Sequence, residues 1–128
     1  FISVSHPFDR WRRGAWDRAN LERIAPLVDA IEVFNARCLQ QSWNDEAVQF
    51  AHEFGLLGTA GSDAHTPAEI GRSGLNLTAF TNADELRAVL PQGKRFGKIS
   101  GMWVHFFSTY AKWEKHRHPE RVPTITIS

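Results

Sequence analysis

Gly61-Ser62-Asp63-Ala64-His65-Thr66-Pro67 places a carboxylate and an imidazole two residues apart, directly after an apolar run. At that spacing Asp63 and His65 can each offer one donor to neighbouring metal ions, the first hard and the second borderline. Gly61 permits an unusual turn or a close backbone approach. Thr66-Pro67 reads as an N-cap followed by proline at the first helical position. The alternative is a polar loop in which Asp63 caps a turn. Another histidine, His6, directly follows the apolar stretch Phe1 to Ser5, and Pro7 fixes a turn able to hold its imidazole. Histidines at such positions also serve structure alone. Glu32 is an acidic residue inside Ala30-Ile31-Glu32-Val33-Phe34. By alternation it faces away from Ile31 and Val33, toward the interior of a barrel or toward solvent. Its burial would require a metal, an arginine or a protonated carboxyl. Asn35, at the end of that run, is a neutral hydrogen-bonder suited to a ligand or a water.

These residues sit at the ends of three predicted strands: Phe1 to Ser5, Ala30 to Phe34, and Leu56 to Ala60. Between the strands the spacing predicts helices. Leu21, Ile24, Leu27 and Val28 follow a three/four period, with Pro26 shortening or kinking the helix near its end. Asn44 is the expected N-cap of the next helix, Asp45 and Glu46 favour its first turn, and Gly55 terminates it. Its buried stripe would be Ala47, Phe50, Ala51 and Phe54. A further helix begins at Asn82 with Glu85 as a capping-box partner, turns Leu86, Val89 and Leu90 inward, and stops at Pro91 and Gly93. Alternating strands and helices predict an α/β fold with parallel strands, whose C-terminal ends gather side chains on one edge.

Beyond Lys94, the stretch Gly101 to Trp113 would gather Met102, Trp103, Phe106, Phe107, Tyr110 and Trp113 onto one broad helical face. It ends in a basic run of Lys112, Lys115, His116, Arg117 and His118. The expected role is a helix packed on the domain, with a membrane-surface or partner helix as the alternative. The chain has 128 residues, the length of one ordinary domain, and its 15 Lys plus Arg against 14 Asp plus Glu leave a formal charge of +1. That balance supplies no electrostatic reason to bind nucleic acid or an acidic membrane. With 42% hydrophobic and 23% charged residues the composition is that of a globular protein, not a disordered one. No apolar run reaches the roughly 20 residues that span a bilayer. The single cysteine, Cys38, cannot form an internal disulfide, so a cytoplasmic protein is expected.

In order and interval, Ser5-His6-Pro7, Ile31-Glu32-Val33-Phe34-Asn35-Ala36 and Gly61-Ser62-Asp63-Ala64-His65-Thr66 resemble the PHP (polymerase and histidinol phosphatase) superfamily of metal-dependent phosphoesterases. The Gly-Ser-Asp-Ala-His element is the most specific of the three. The resemblance implies a distorted (β/α)7, TIM-like barrel with two or three divalent ions, zinc, manganese or iron, at the C-terminal ends of its strands. It also implies that His6, Asp63 and His65 are metal ligands. Glu32 and Asn35 would support those ligands or line the pocket. Arg10, Arg12, Arg13 and Arg37 would be candidates to neutralise the phosphate of a small metabolite or nucleotide, or else arginines in solvated loops.

Members of the superfamily open with a His-x-His motif, an acidic residue, a further histidine and a bridging glutamate, and none of these precedes His6. The chain's own His116-Arg117-His118 follows the Gly-Ser-Asp-Ala-His element and reads as solvated tail. Residues 1–93 are therefore expected to be the C-terminal half of a PHP domain, and 94–128 a C-terminal extension with the aromatic helix and basic tail. The abrupt start at Phe1, without methionine, agrees with that expectation. The intact protein is expected to hydrolyse phosphate esters, while this segment alone would bind metal poorly and lack turnover. A non-catalytic PHP-fold scaffold or interaction module is the alternative.

Overall fold

The structure, a computed structural model, describes residues 1–11, 16–101 and 117. Over the described residues up to Gly97 the elements follow one another as β1 (Ser3–Val4), α1 (Arg18–Ile24), β2 (Ala30–Asn35), α2 (Gln41–Glu53), β3 (Leu57–Gly61), β4 (Ser73–Asn76), α3 (Ala83–Val89) and β5 (Lys94–Gly97). The first three strands form a parallel sheet in the order β1-β2-β3, and β4 pairs with β5 in a separate antiparallel sheet. The three expected strands are thus present, shifted by a residue or two, and parallel. The described residues contain a mixed α/β arrangement of small sheets, and no closed barrel.

Local chemistry explains most element boundaries. The Asp17 side chain caps α1 by accepting the Asn20 backbone N–H at 2.8 Å. Pro26 then stops the helix, and the chain tightens into a 3-10 turn over Ala25–Leu27. Gly55, at φ 64°, supplies the left-handed residue that ends α2. Asn82 caps α3 as expected, its Oδ1 accepting from the backbone of Asp84 at 3.0 Å and of Glu85 at 2.9 Å.

The start of α2 corrects the sequence reading. The helix begins at Gln41, with Gln40 as its N-cap, so Asn44 lies inside it. The Asn44 side chain serves β2 instead: its Oδ1 accepts the Asn35 N–H at 3.0 Å, and its Nδ2 donates to the Asn35 carbonyl at 3.3 Å. A buried strand end needs both backbone groups paired, and a carboxamide carries the required donor and acceptor.

The core lies between one face of the parallel sheet and the helices α1 and α2. Val4, Phe8, Leu21, Ala25, Ile31, Ala47, Phe50 and Ala51 form it. Phe50 is the central ring, edge-on to Phe8 at 5.6 Å and stacked on Phe54 at 4.4 Å. Because Val4 and Ile31 face this core, Ser3 and its neighbours turn to the opposite face. There the Ser3 and Thr59 hydroxyls meet at 3.0 Å across β2. One face of the sheet is apolar and packed against the helices, while the other carries this hydroxyl pair together with the buried ring of Phe34, over which the Arg95 guanidinium lies at 4.1 Å.

β4 and β5 were not expected. Ser-Gly-Leu-Asn and Lys-Arg-Phe-Gly lack an apolar alternation, and their pairing depends on a contact between distant segments, with the Ser73 hydroxyl donating to the Phe96 carbonyl at 3.1 Å. The aromatic helix expected over Gly101 to Trp113 and the His116-Arg117-His118 tail lie outside the described residues, apart from Gly101 and Arg117. Among the described residues no helix is long and apolar enough to cross a membrane.

α3 is tied to the start of β2 by Arg87, whose Nε donates to Asp29 Oδ1 at 2.7 Å. The other Asp29 oxygen accepts the Ile2 N–H at 2.6 Å. The Arg87 hydrogen bond first, and the Ile2 N–H after it, hold the Asp29 carboxyl below its ordinary range. A carboxyl lowered in the folded state stabilises the fold above its unfolded pKa of about 4, and that contribution is lost as pH falls through the lower folded value. Asp29→Asn is therefore expected to lower the denaturation midpoint at pH 7 while leaving it unchanged near pH 2. An equal loss at both pH values would contradict this linkage.

Candidate metal centre

The C-terminal ends of the three parallel strands converge on one edge of the sheet. His6 follows β1, Asn35 ends β2, and Asp63 lies just past β3. Glu32 joins them. Its Oε2 accepts the backbone N–H of His6 at 2.7 Å and the Asn35 Nδ2 at 2.9 Å.

In a regular strand residues three apart face opposite sides, so Glu32 and Asn35 would not meet. The pairing of β2 with β3 slips between Glu32 and Phe34, where Glu32 stands opposite Thr59 and Phe34 opposite Ala60. The bulge absorbs Val33 and returns Asn35 to the face of Glu32. Gly61 completes the arrangement, because a Cβ there would lie 2.8 Å from Glu32 Oε1. Gly61→Ala is expected to displace the Glu32 carboxylate, the far end of its side chain, and to cost about 0.5–1.5 kcal/mol, the net worth of a hydrogen bond it then loses to His6 or Asn35. Unfolding in urea measures it, and a stability equal to wild type would contradict the close approach.

Asn35, 1% exposed, is hydrogen-bonded through its backbone and both ends of its side chain. One Nδ2 hydrogen goes to Glu32 and the other to Asp63 Oδ2, at 3.2 Å, while Oδ1 accepts the Arg37 N–H at 2.8 Å. The carboxylate of Asp63 and the backbone of His6 are thereby linked through two intermediate side chains. His6 and Asp63 also share a backbone feature, with φ of 35° and 50°, the positive-φ residues other than glycine among the described residues. Such conformations cost on the order of 1–3 kcal/mol and cluster where a side chain must be aimed.

His65 completes the sequence-predicted donors. Its Nδ1 lies 2.8 Å from the Asp63 carbonyl oxygen and 3.8 Å from Asp63 Oδ1. A carbonyl only accepts, so Nδ1 donates, and in the neutral ring Nε2 carries the lone pair. That second hydrogen bond is the usual companion of a metal-ligating imidazole.

Glu69 escaped the sequence reading. Its carboxylate is buried and accepts from three groups: Arg37 Nη1, the His65 N–H at 3.1 Å and the Thr66 hydroxyl at 2.8 Å. Burial alone would push this carboxyl up, but the hydrogen bonds from Thr66, His65 and Arg37, with the Arg37 charge, outweigh it and hold the carboxyl below its ordinary value. The signal was Thr66-Pro67-Ala68-Glu69, a Thr-x-x-Glu pattern of the capping-box kind. Here the carboxylate caps the residue before Thr66 and the Thr66 hydroxyl itself.

Of the candidate arginines, Arg37 is 3% exposed and paired with Glu69, a support inside the loop cluster. Arg10 is 67% exposed and pairs with Glu46 of α2 at 2.9 Å. Arg12 and Arg13 lie outside the described residues. One carboxylate and two imidazoles match the donor chemistry of a divalent ion; Asn35 holds the Asp63 carboxylate, the Asp63 carbonyl holds the His65 ring, and Glu32 holds the backbone of His6. Among the described residues, however, no three His, Cys, Asp or Glu side chains converge into a group able to enclose one.

Residues 41–94 match the family described as PHP-associated. The chain is also 33% identical over 75 residues to an uncharacterized protein of Methanocaldococcus jannaschii, an alignment covering 56% of this chain and 32% of that protein. The chain thus spans about a third of the length of that curated relative. No solved structure matches the chain at a significant level.

Proposed function

We propose, from the match of residues 41–94 to the PHP-associated family, that the intact protein is a metal-dependent phosphoesterase of the PHP superfamily. Its substrate would be a small phosphorylated metabolite or a nucleotide. The observation that carries this reading is the single polar network at the C-terminal edge of the parallel sheet. In it Glu32 and Asn35 hold the backbone of His6 and the carboxylate of Asp63, both at left-handed residues.

Divalent ions held by His6, Asp63 and His65 would supply Lewis-acid stabilisation of the phosphoryl oxygens and acidify a water near neutral pH. This chain's residues do the positioning. Asp63 presents a carboxylate steadied by Asn35, and His65 presents Nε2 because Nδ1 is engaged by the Asp63 carbonyl. Glu32 secures the turn that carries His6. Further ligands would come from a His-x-His strand and a bridging glutamate in the intact protein.

A second reading, a PHP-fold scaffold without catalysis, draws on the absence of a three-donor cluster among the described residues. Hydrolysis of a phosphomonoester panel by the full-length protein, stripped with chelator and resupplied with manganese, separates the two. The phosphoesterase reading expects manganese-dependent turnover that falls more than about 100-fold in Asp63→Asn, beyond the 10–100-fold typical of groups that only support a ligand. Absence of turnover, or turnover indifferent to Asp63→Asn, would overturn it.

A further inference from the structure

We propose that Glu69 is the positioning residue for His65: its buried carboxylate holds the loop carrying the imidazole and so determines which ring nitrogen faces outward. The proposal rests on the reading of His65 as a metal ligand and names the group that prepares it.

The geometry is specific to that task. Glu69 ends the 3-10 turn Pro67–Glu69 and is fully enclosed, with Oε1 toward Arg37 and Oε2 shared between the His65 N–H and the Thr66 hydroxyl. Two of the contacts that hold His65 come from this loop. Glu69 holds its backbone nitrogen, and the Asp63 carbonyl holds its Nδ1 at 2.8 Å. The second grip requires the ring to stay over Asp63, which depends on where the first places the backbone. Arg37 connects the same carboxylate to the rest of the edge, since its own N–H donates to Asn35 Oδ1 at 2.8 Å and Asn35 holds Asp63.

Stability alone does not call for this chemistry. A buried ion pair is commonly replaced by apolar residues of similar volume without loss of stability. What an apolar pair removes is acceptor capacity aimed at His65 and Thr66. A purely structural Glu69 and a positioning Glu69 therefore differ in one respect: restoring packing rescues the first and not the second.

The test uses the full-length protein and three readouts: melting, the His65 tautomer from nitrogen-resolved imidazole NMR of the metal-free protein at pH 8, and manganese affinity by titration. Wild type is expected to show His65 protonated at Nδ1. The paired variant Arg37→Met/Glu69→Leu is expected to melt near wild type, yet to mix the two tautomers and bind manganese 10–100-fold more weakly, as when other supporting groups of ligands are lost. Glu69→Asp retains the charge but withdraws it by one methylene, and is expected to shift the tautomer in the same direction. Wild-type tautomer and affinity in a folded variant of either kind overturn the proposal. Should wild type bind no manganese, the phosphoesterase reading fails, while the tautomer comparison still decides the role of Glu69.

Discussion

Arg37→Met alone will cost the protein about 3–5 kcal/mol of stability, because it leaves the Glu69 carboxylate buried without its cationic partner. Both side chains are 3% exposed, so water cannot take the place of the lost guanidinium. The His65 N–H and the Thr66 hydroxyl remain as donors to Glu69, but neither carries charge. A domain of ordinary stability holds about 5–15 kcal/mol in total, so the single change would bring the midpoint of urea unfolding far down. Replacing both partners with Met and Leu should restore most of it. A single variant as stable as wild type would show that the pair is solvated in solution.

Phe50→Ala is expected to cost a similar ~3–5 kcal/mol, the range for removing a large buried aromatic ring. Phe50 is 1% exposed and touches Phe8 and Phe54. Phe8 stands two residues after His6, so the cavity would open beneath the turn that carries that histidine. Loss of stability and a loosened His6 turn should therefore appear together. Val48→Ala, on the solvent side of the same helix and 50% exposed, is the control, expected within about 0.5 kcal/mol of wild type. Equal effects of the two changes would place the core elsewhere.

The parts of this fold legible in the sequence share a local cause. Strands around Val4, Ile31 and Thr59 announce themselves as short apolar runs, and the helix from Ala83 by the Asn82 cap and its Glu85 partner. His6, Asp63 and His65 were visible because each follows such a run within a few residues. The carboxamide of Asn44 misled, since Asn before two acidic residues is a good cap in isolation. Its backbone partner on Asn35 lies nine residues away and outweighs that preference. β4 and β5 left no trace, being four residues each without an apolar rhythm.

What the sequence determined by itself is the order of the strands and which donor types stand at their ends, since burial periodicity and turn chemistry act over a few residues. What only the tertiary structure decided is how those donors are held. Glu32 reaches the His6 N–H across 26 residues, Asn35 reaches Asp63 across 28, and Arg37 reaches Glu69 across 32. The bulge at Val33 that aligns Glu32 with Asn35 arises from pairing with β3. Hydrogen bonds between groups so distant in the chain require the packed core around Phe50 that holds the strand ends together, so no local pattern could have announced them.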